Sequence, residues 1–526
     1  MAFALPCFVF AAGWRYLGSG DTLPAELLPI SVLREGNLDF NEFEGSVDLP
    51  YYFVRHGGRV LSAYPVVAGL LAVPVYAAAS LFGVDLFAQR QHLALAAAIL
   101  ITSGSVVFVF LAIRRLTQSS RQALGFACLY AFGTCVWSVA STALWQHTAS
   151  LLFLSGALWL MFTRTHLGAA GLLAGCAIAS RPTDALLFAF AILYMVLARR
   201  RGSVRFVLLM AVPLAALALY SKHYLGFWSL GQQFPAEGLS GDLSAGLAGL
   251  LVSPSRGLLI VSPFLVAAVV GVVAAAKGRR SDDDALLLTL AAGAIAVIVL
   301  YGKWGMWWGG TSFGYRLILD VVPICLLLVV RAWSAIDRWR LSRLAFGASI
   351  GLSVYANALG ALVYPSTFNQ NINLETARLW DWKGSELVLC SRSIVGLPPR
   401  PPATVPFVWW TADKNDDSIP GWLFRSPGEA PVRGTLEVSG WARSAVGDVD
   451  VLVVLDDGTA ARAVRFAFPP LANVLPQLGD PSHAGFRATF PPPLGKGWRA
   501  VAIELRSPAG RVRRLGPIRF WWQPKA

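Results

Sequence analysis

The residues best placed to do chemistry lie just beyond the first apolar stretch. Ser19-Gly20-Asp21-Thr22 opens a polar run to about Arg59 that carries Asp21, Glu26, Glu35, Asp39, Glu42, Glu44 and Asp48. A carboxylate held a few residues from an apolar segment sits at a membrane's water edge, where it can take a proton from a hydroxyl group. Asp21 is the nearest acid to that segment and the first catalytic candidate. The competing role is an ordinary cap or solvated loop acid, and Glu26, a candidate for a substrate cavity, faces the same competition.

The remaining candidates are cations, aromatics and a histidine at the edges of other apolar runs. Arg181 stands in Ser180-Arg181-Pro182-Thr183-Asp184. An arginine at membrane depth needs a partner. Its fork of donors suits a phosphate, and an ion pair with Asp184 across Pro182 is the alternative. The run from Tyr301 to Arg316 holds Lys303, Trp304, Trp307, Trp308 and several glycines. Tryptophans alone would form an interfacial belt. The glycines add close backbone approach, and Lys303 and Arg316 add charge where a phosphate can bind. Trp145-Gln146-His147 and Arg256 mark two further turns at the same water edge. A lone histidine there is more often structural than a ligand. Trp145, His147, Arg256, Trp307 and Trp308 complete the candidate cavity. There is no Walker loop, dinucleotide glycine pattern or HExxH, and Asp282-Asp283-Asp284, beside Lys277, Arg279 and Arg280, reads as a solvated loop. No metal ligand set is assigned.

These residues need a membrane scaffold to position them. The chain has 526 residues, 56% hydrophobic and 14% charged. That excess exceeds what a soluble domain of this size requires. The formal net charge of +14 invites a nucleic-acid reading, but the arginines sit between apolar runs. Retention of cytoplasmic loops and attraction to anionic lipids account for them without nucleic acid. Five of the six cysteines lie in apolar runs, which excludes a disulfide framework or a zinc spacing.

Ala2 to Leu17 lacks a basic leading region and a clear cleavage site, so it reads as a retained helix. Spanning segments are expected near 92–113, 122–142, 148–163, 168–180, 184–198, 204–221, 257–276, 285–301, 317–331 and 343–363. Leu61 to Phe82 contains Pro65 and Pro74. If it crossed, Arg114, Arg115 and Arg121 would face outward, against the positive-inside rule. A juxtamembrane or re-entrant helix in the outer leaflet removes that conflict. About 11 crossings then leave the N-terminus inside and the tail outside. The segments 168–180 and 184–198 are short, and such helices are tolerated where protein or a wet cavity shields their ends.

After about Tyr364 prolines and charges rise, and 364–430 reads as a Pro-rich irregular segment. Period-two stretches follow at 435–441, 450–455, 461–468, 485–490, 499–505 and 512–521. They predict a small all-β sandwich over 431–526. The fold class is therefore an α-helical polytopic membrane domain over 1–363 followed by that sandwich.

The order of these features resembles the C-type integral-membrane glycosyltransferases, a family that includes protein O-mannosyltransferases and aminoarabinose transferases. The matching stretches are SGDTLPAELLP around Asp21, SAYPVVAGLLAVP, GLLAGCAIASRPT around Arg181 and WWGGTSFGYRLILDVVP around Arg316. The resemblance implies an inner-membrane enzyme with an outward-facing site and a polyprenyl-phosphate sugar donor. It implies Asp21 as general base, with Arg181, Arg316 and Lys303 as donor-phosphate ligands. The acceptor would be an envelope glycan, lipid or protein. Many relatives have paired acids at the first position and a second acid in the next outer loop. Thr22 and Gln146-His147 stand there instead, which leaves the need for a divalent metal open. A polyprenyl-lipid flippase and a non-catalytic glycan-binding assembly protein are the rival classes. The first needs polar residues deep in several helices and repeat-like halves; the second tolerates loss of Asp21.

Single cysteines at Ser120 and Ser482, in a background freed of native cysteines, are expected to label from opposite sides of the membrane. Labelling from one side would exclude both the outer tail and the juxtamembrane assignment of 61–82.

Overall fold

The structure, a computed structural model, describes residues 1–44, 52–229, 236–278, 281–365, 372, 376–394, 409–410, 421–425, 432–433, 435–442, 448–466, 483–491, 497–508, 510 and 512–523. Asp48, Arg279, Arg280, Ser482 and much of 364–430 lie outside the described residues. The chain divides into two compact units, 1–366 with 376–396, and 367–375 with 397–526.

The first unit is helical. Its helices are α1 (Ala4–Gly13), α2 (Leu23–Arg34), α3 (Val67–Leu81), α4 (Arg90–Thr117), α5 (Ser120–Phe132), α6 (Gln146–Thr163), α7 (Leu167–Ser180) and α8 (Ala185–Leu197). There follow α9 (Ser203–Leu225), α10 (Leu243–Val252), α11 (Leu258–Val261), α12 (Ala267–Lys277), α13 (Asp282–Gly302), α14 (Val322–Ile336), α15 (Arg340–Ala358) and α16 (Glu386–Ile394). A short antiparallel hairpin, β1 (Phe53–His56) with β2 (Arg59–Ser62), lies between α2 and α3. Among the described residues, five helical stretches are long and apolar enough to cross a membrane: Arg90–Thr117, Ser203–Leu225, Asp282–Gly302, Arg316–Ile336 and Arg340–Val363. This is the signature of an integral membrane protein.

Several elements differ from the sequence expectation. The polar run after Asp21 contains α2, whose Leu27, Leu28 and Ile30 are buried against α3. The loop expected across 222–256 contains α10, ten apolar residues that are too few to span. The segment expected at 257–276 is broken into α11, a 3-10 turn at Pro263–Val266, and α12. Within the stretch read as a Pro-rich segment, α16 folds with the helical unit.

Helix α7 has 14 residues and α8 has 13. At about 1.5 Å per residue each reaches only about 20 Å, short of the hydrocarbon thickness of about 30 Å. Small residues let α7 seat against α9. A Cβ on Gly171 would fall 2.0 Å from the Phe206 carbonyl oxygen, and one on Gly175 would fall 2.2 Å from that of Met210. The backbones meet because neither position carries a side chain.

The aspartates at the start of α13 are not a solvated loop. Asp282 pairs with Arg200 at 2.5 Å and Arg164 at 3.7 Å, and Asp283 with Arg164 and, at 3.8 Å, with Arg115. Asp284 is buried and accepts from Arg331 Nε at 2.6 Å. Negative charge in a helix's first turn is favoured by the helix dipole. Here it also gathers Arg115 in the last turn of α4, the arginines following α6 and α8 and the one within α14 at one end of the bundle.

The second unit is all-β among its described residues. Its strands are β3 (Trp409–Trp410), β4 (Gly421–Arg425), β5 (Val432–Arg433), β6 (Leu436–Ala442), β7 (Asp450–Leu455), β8 (Ala460–Arg462), β9 (Val464–Phe466), β10 (Gly485–Phe490), β11 (Gly497–Arg506) and β12 (Val512–Gln523). They form two five-stranded sheets, β3-β4-β6-β10-β9 and β5-β12-β11-β7-β8. Val438 and Phe486 from one sheet share a core with Val453, Val501 and Ile503 from the other. The strand expected at 461–468 changes sheets at Ala463: β8 pairs with β7, and β9 with β10.

Gly171→Ala should destabilise the helical unit by about 1–3 kcal/mol through overpacking. Gly351→Ala on α15, where a Cβ would meet nothing within 4 Å, should be neutral or stabilising by about 0.5–1 kcal/mol. Thermal unfolding in detergent compares them, and equal effects would refute close packing of α7 on α9.

Candidate active site

Asp21 sits in a 3-10 turn, Gly20–Thr22, that its own sequence closes. The Ser19 side chain accepts from the Asp21 amide at 3.2 Å. Thr22 Oγ1 accepts from the Ser19 amide at 3.2 Å and donates to the Ser19 carbonyl at 2.8 Å. Pro24 follows in the first turn of α2, where a missing N–H costs nothing. A Cβ on Gly20 would lie 2.3 Å from the Tyr52 ring, so only glycine lets the turn approach that ring. The carboxylate is thereby fixed in the lining of a narrow cleft. The cleft's polar lining is Asp21, Ser62, Tyr64 and Gln146, and its apolar lining includes Leu28, Phe40, Val66 and Leu144.

Two distant residues converge on Asp21. The Tyr64 hydroxyl donates to Oδ1 at 2.8 Å, and Arg316 Nη1 donates to Oδ2 at 2.8 Å. Arg316 opens a 3-10 segment, Arg316–Val321, that leads into α14. Its guanidinium lies 4.4 Å over the Trp145 ring and also donates to the Gly309 carbonyl at 2.6 Å. Stacking on Trp145 is a cation–π contact that fixes the plane of the fork.

Beneath this pair lies a buried polar network. Arg181 Nε is 2.7 Å from Asp320 Oδ2. Its Nη1 donates to His147 Nε2 at 2.5 Å, and its Nη2 donates to the Tyr301 hydroxyl and, at 3.1 Å, to the Leu317 carbonyl. Because Nε2 accepts, His147 carries its proton on Nδ1 and donates it to Asp320 Oδ2 at 3.2 Å. Both terminal nitrogens of Arg181 are thus hydrogen-bonded within the protein, and its Nε faces Asp320 as an ion pair. Its ion-pair partner is Asp320, and Asp184 instead accepts from Ser150 at 2.5 Å.

The other candidates separate from this cluster. Arg256, 1% exposed, pairs with Glu386 of α16 and donates to the Trp308 and Gly310 carbonyls at 2.9 and 3.2 Å. It fastens the tryptophan-rich loop and is not exposed to a ligand. Trp307 is buried, edge-on to Trp308 and tilted against Trp380. Lys303 is exposed at the end of α13, and the acid that feels its charge is Asp242. Glu26 is 2% exposed beneath the Asp21 turn and does not line the cleft. Burial pushes its carboxyl up to about 8, with Arg90 pulling the other way. Among the described residues no three His, Cys, Asp or Glu side chains are grouped as metal ligands.

Sequence reasoning missed Tyr64, Asp320, Tyr301 and Glu386. Asp320 carried a signal, a lone acid in the apolar stretch Leu317–Leu328 and four residues from Arg316. Tyr64 and Glu386 carried none, since their partners lie 43 and 130 positions away.

No protein-family description matches this chain, and neither does any curated protein. Among solved structures the chain is similar to the ArnT of Cupriavidus metallidurans bound to undecaprenyl phosphate, with a TM-score of 0.43 and 17% identity over 75% of this chain and 77% of that one. It is similar to the same protein in the apo state at 0.43 and 16%, over 75% and 73%. These structures belong to the glycosyltransferase family that the sequence resembles.

Arg181→Gln leaves Asp320 buried without its cation and should destabilise the helical unit by about 3–5 kcal/mol. Arg316→Gln should cost less, because its pair with Asp21 opens on the cleft. Detergent melting curves measure both, and an unchanged midpoint in Arg181→Gln would return that residue to the list of ligand-binding cations.

Proposed function

We propose that this protein is a membrane glycosyltransferase that transfers a sugar from a polyprenyl-phosphate donor to an acceptor hydroxyl on the outer face. The carrying observation is the Asp21–Arg316 pair, an acid and an arginine side by side where Asp21 lines a largely apolar cleft. Transfer from a lipid phosphate needs those two charges, one to receive a proton and one to hold the leaving group. The membrane unit carries the chemistry across about 11 crossings, and the C-terminal sandwich serves as an accessory module for an envelope glycan, lipid or protein acceptor.

In this reading Arg316 changes partners. Without donor it is neutralised by Asp21; donor phosphate, with its matching oxygens, competes for the same fork. Release of Arg316 frees Oδ2 of Asp21 to accept the acceptor's proton, while Tyr64 keeps Oδ1 oriented. The acceptor oxygen attacks the anomeric carbon, the bond from that carbon to the phosphate oxygen breaks, and the electron pair leaves with the lipid phosphate. The hydroxyl proton passes to Asp21. A phosphate departs without a general acid, and one displacement inverts the anomeric centre. Arg181 acts through structure, since it holds Leu317 and Asp320 of the segment that Arg316 opens.

Asp21→Asn cannot accept the proton and should lower turnover by about 10²–10⁴-fold with donor binding retained. Turnover of a polyprenyl-phosphate-linked sugar by purified protein checks this. Wild-type turnover by the variant would reduce Asp21 to a cap, and abolition of wild-type turnover by chelator would recast it as a metal ligand.

A further inference from the structure

Glu26 is a carboxyl group buried next to the Asp21 turn and outside the cleft. Its Oε1 accepts from the Tyr16 hydroxyl and lies 3.1 Å from Thr22 Oγ1, whose own hydrogen goes to the Ser19 carbonyl, so a protonated carboxyl is the donor to Thr22. The Tyr16 and Thr22 hydroxyl oxygens lie 2.8 Å apart. Thr22 is fully buried, and its Oγ1 is the same atom that closes the turn onto Ser19. The other oxygen, Oε2, is buried and has no hydrogen-bond partner.

We infer that Glu26 is a positioning residue for Asp21, holding the catalytic turn through Thr22 and Tyr16. The inference rests on the glycosyltransferase reading and adds a residue that never touches substrate. Three hydroxyl and carboxyl groups form a closed triangle, and Thr22 cannot rotate without breaking both its bond to Glu26 and its bonds to Ser19. Asp21 is the residue between them.

The triangle works with Glu26 neutral. A buried anion with one oxygen unmatched is costly, whereas the acid form carries no charge to solvate. The charged and titratable groups facing it are Tyr16, Tyr76 of α3 and Arg90 of α4. With its carboxyl raised from 4.5 to about 8, the native state keeps a proton that the unfolded chain has lost. The stabilisation is complete below the unfolded value, declines as pH rises from there, and is gone above about 8. Above that point an anion sits under the turn and the hold on Asp21 loosens.

The test uses the full chain in detergent. Melting midpoints are recorded from about pH 5 to about pH 9, and kcat and KM are measured over the same range. The probe is an undecaprenyl-phosphate-linked hexose, with envelope lipid extract as acceptor. Thr22→Val and Glu26→Leu are expected to lower kcat by about 10- to 100-fold through misplacement of Asp21, with KM for the donor little changed. Glu26→Gln, neutral at every pH, should keep near-wild-type kcat at neutral pH, lose the decline in melting midpoint, and carry activity further into the alkaline range. A Glu26→Gln protein that shows the wild-type decline in both midpoint and kcat overturns the positioning role, and so does wild-type kcat in Glu26→Leu. If Glu26→Leu fails to fold, the Glu26→Gln profile alone decides. Absence of transfer by the wild-type protein overturns the transferase reading and this role together, whereas an active wild type with an unresponsive Glu26→Gln overturns this role alone.

Discussion

A guanidinium taken out of water must be matched group by group, and Arg181 meets that demand with four partners. It is 5% exposed, ion-paired with Asp320 and hydrogen-bonded to His147, Tyr301 and the Leu317 carbonyl. Those partners come from α6, α13 and the segment before α14, while Arg181 itself joins α7 to the turn before α8. One buried charge thus requires four otherwise independent pieces of chain to meet at one point. An ion pair of this kind adds little net stability compared with apolar packing, but it penalises every arrangement in which a partner is missing.

The proposed catalytic pair is assembled on the outer surface of that network. Trp145 lies two residues before His147 and stacks under Arg316, which lies four residues before Asp320. Holding His147 and Asp320 therefore holds both the cation and the ring beneath it. Tyr64 reaches Asp21 from a separate direction, after the β1–β2 hairpin turns the chain back. The opposite end of the bundle is gathered in a comparable way around Asp282, Asp283 and Asp284. Between the two charged ends the helices pack through small and apolar side chains, where direction comes from shape and not from charge.

Asp21, Glu26 and Glu386 show how one residue type takes three roles according to its neighbours. Asp21 lines a cleft and pairs with Arg316. Glu386 neutralises Arg256 in the interior and keeps the tryptophan loop in place. Glu26 meets hydroxyl groups and retains its proton. Local sequence does not distinguish these cases, since each carboxylate is flanked by ordinary apolar and small residues.

The membrane class and the alternating strands of the tail were legible along the chain, and so was the place of Asp21 and Arg316 at the edges of apolar runs. Each depends on a short-range pattern: apolar runs of membrane length, period-two alternation, and a charge at the edge of an apolar run. The arginine spacing also anticipated that the loops after α4, α6 and α8 share one end of the bundle. Helix α2 was hidden because its polar surroundings masked five closely spaced apolar and proline positions. The partners of Arg181 and Arg256 lie 34 to 139 positions away, and Glu26 is buried beneath a turn. Electrostatic matching and burial are properties of the folded neighbourhood, and a one-dimensional pattern does not record which distant groups fill it.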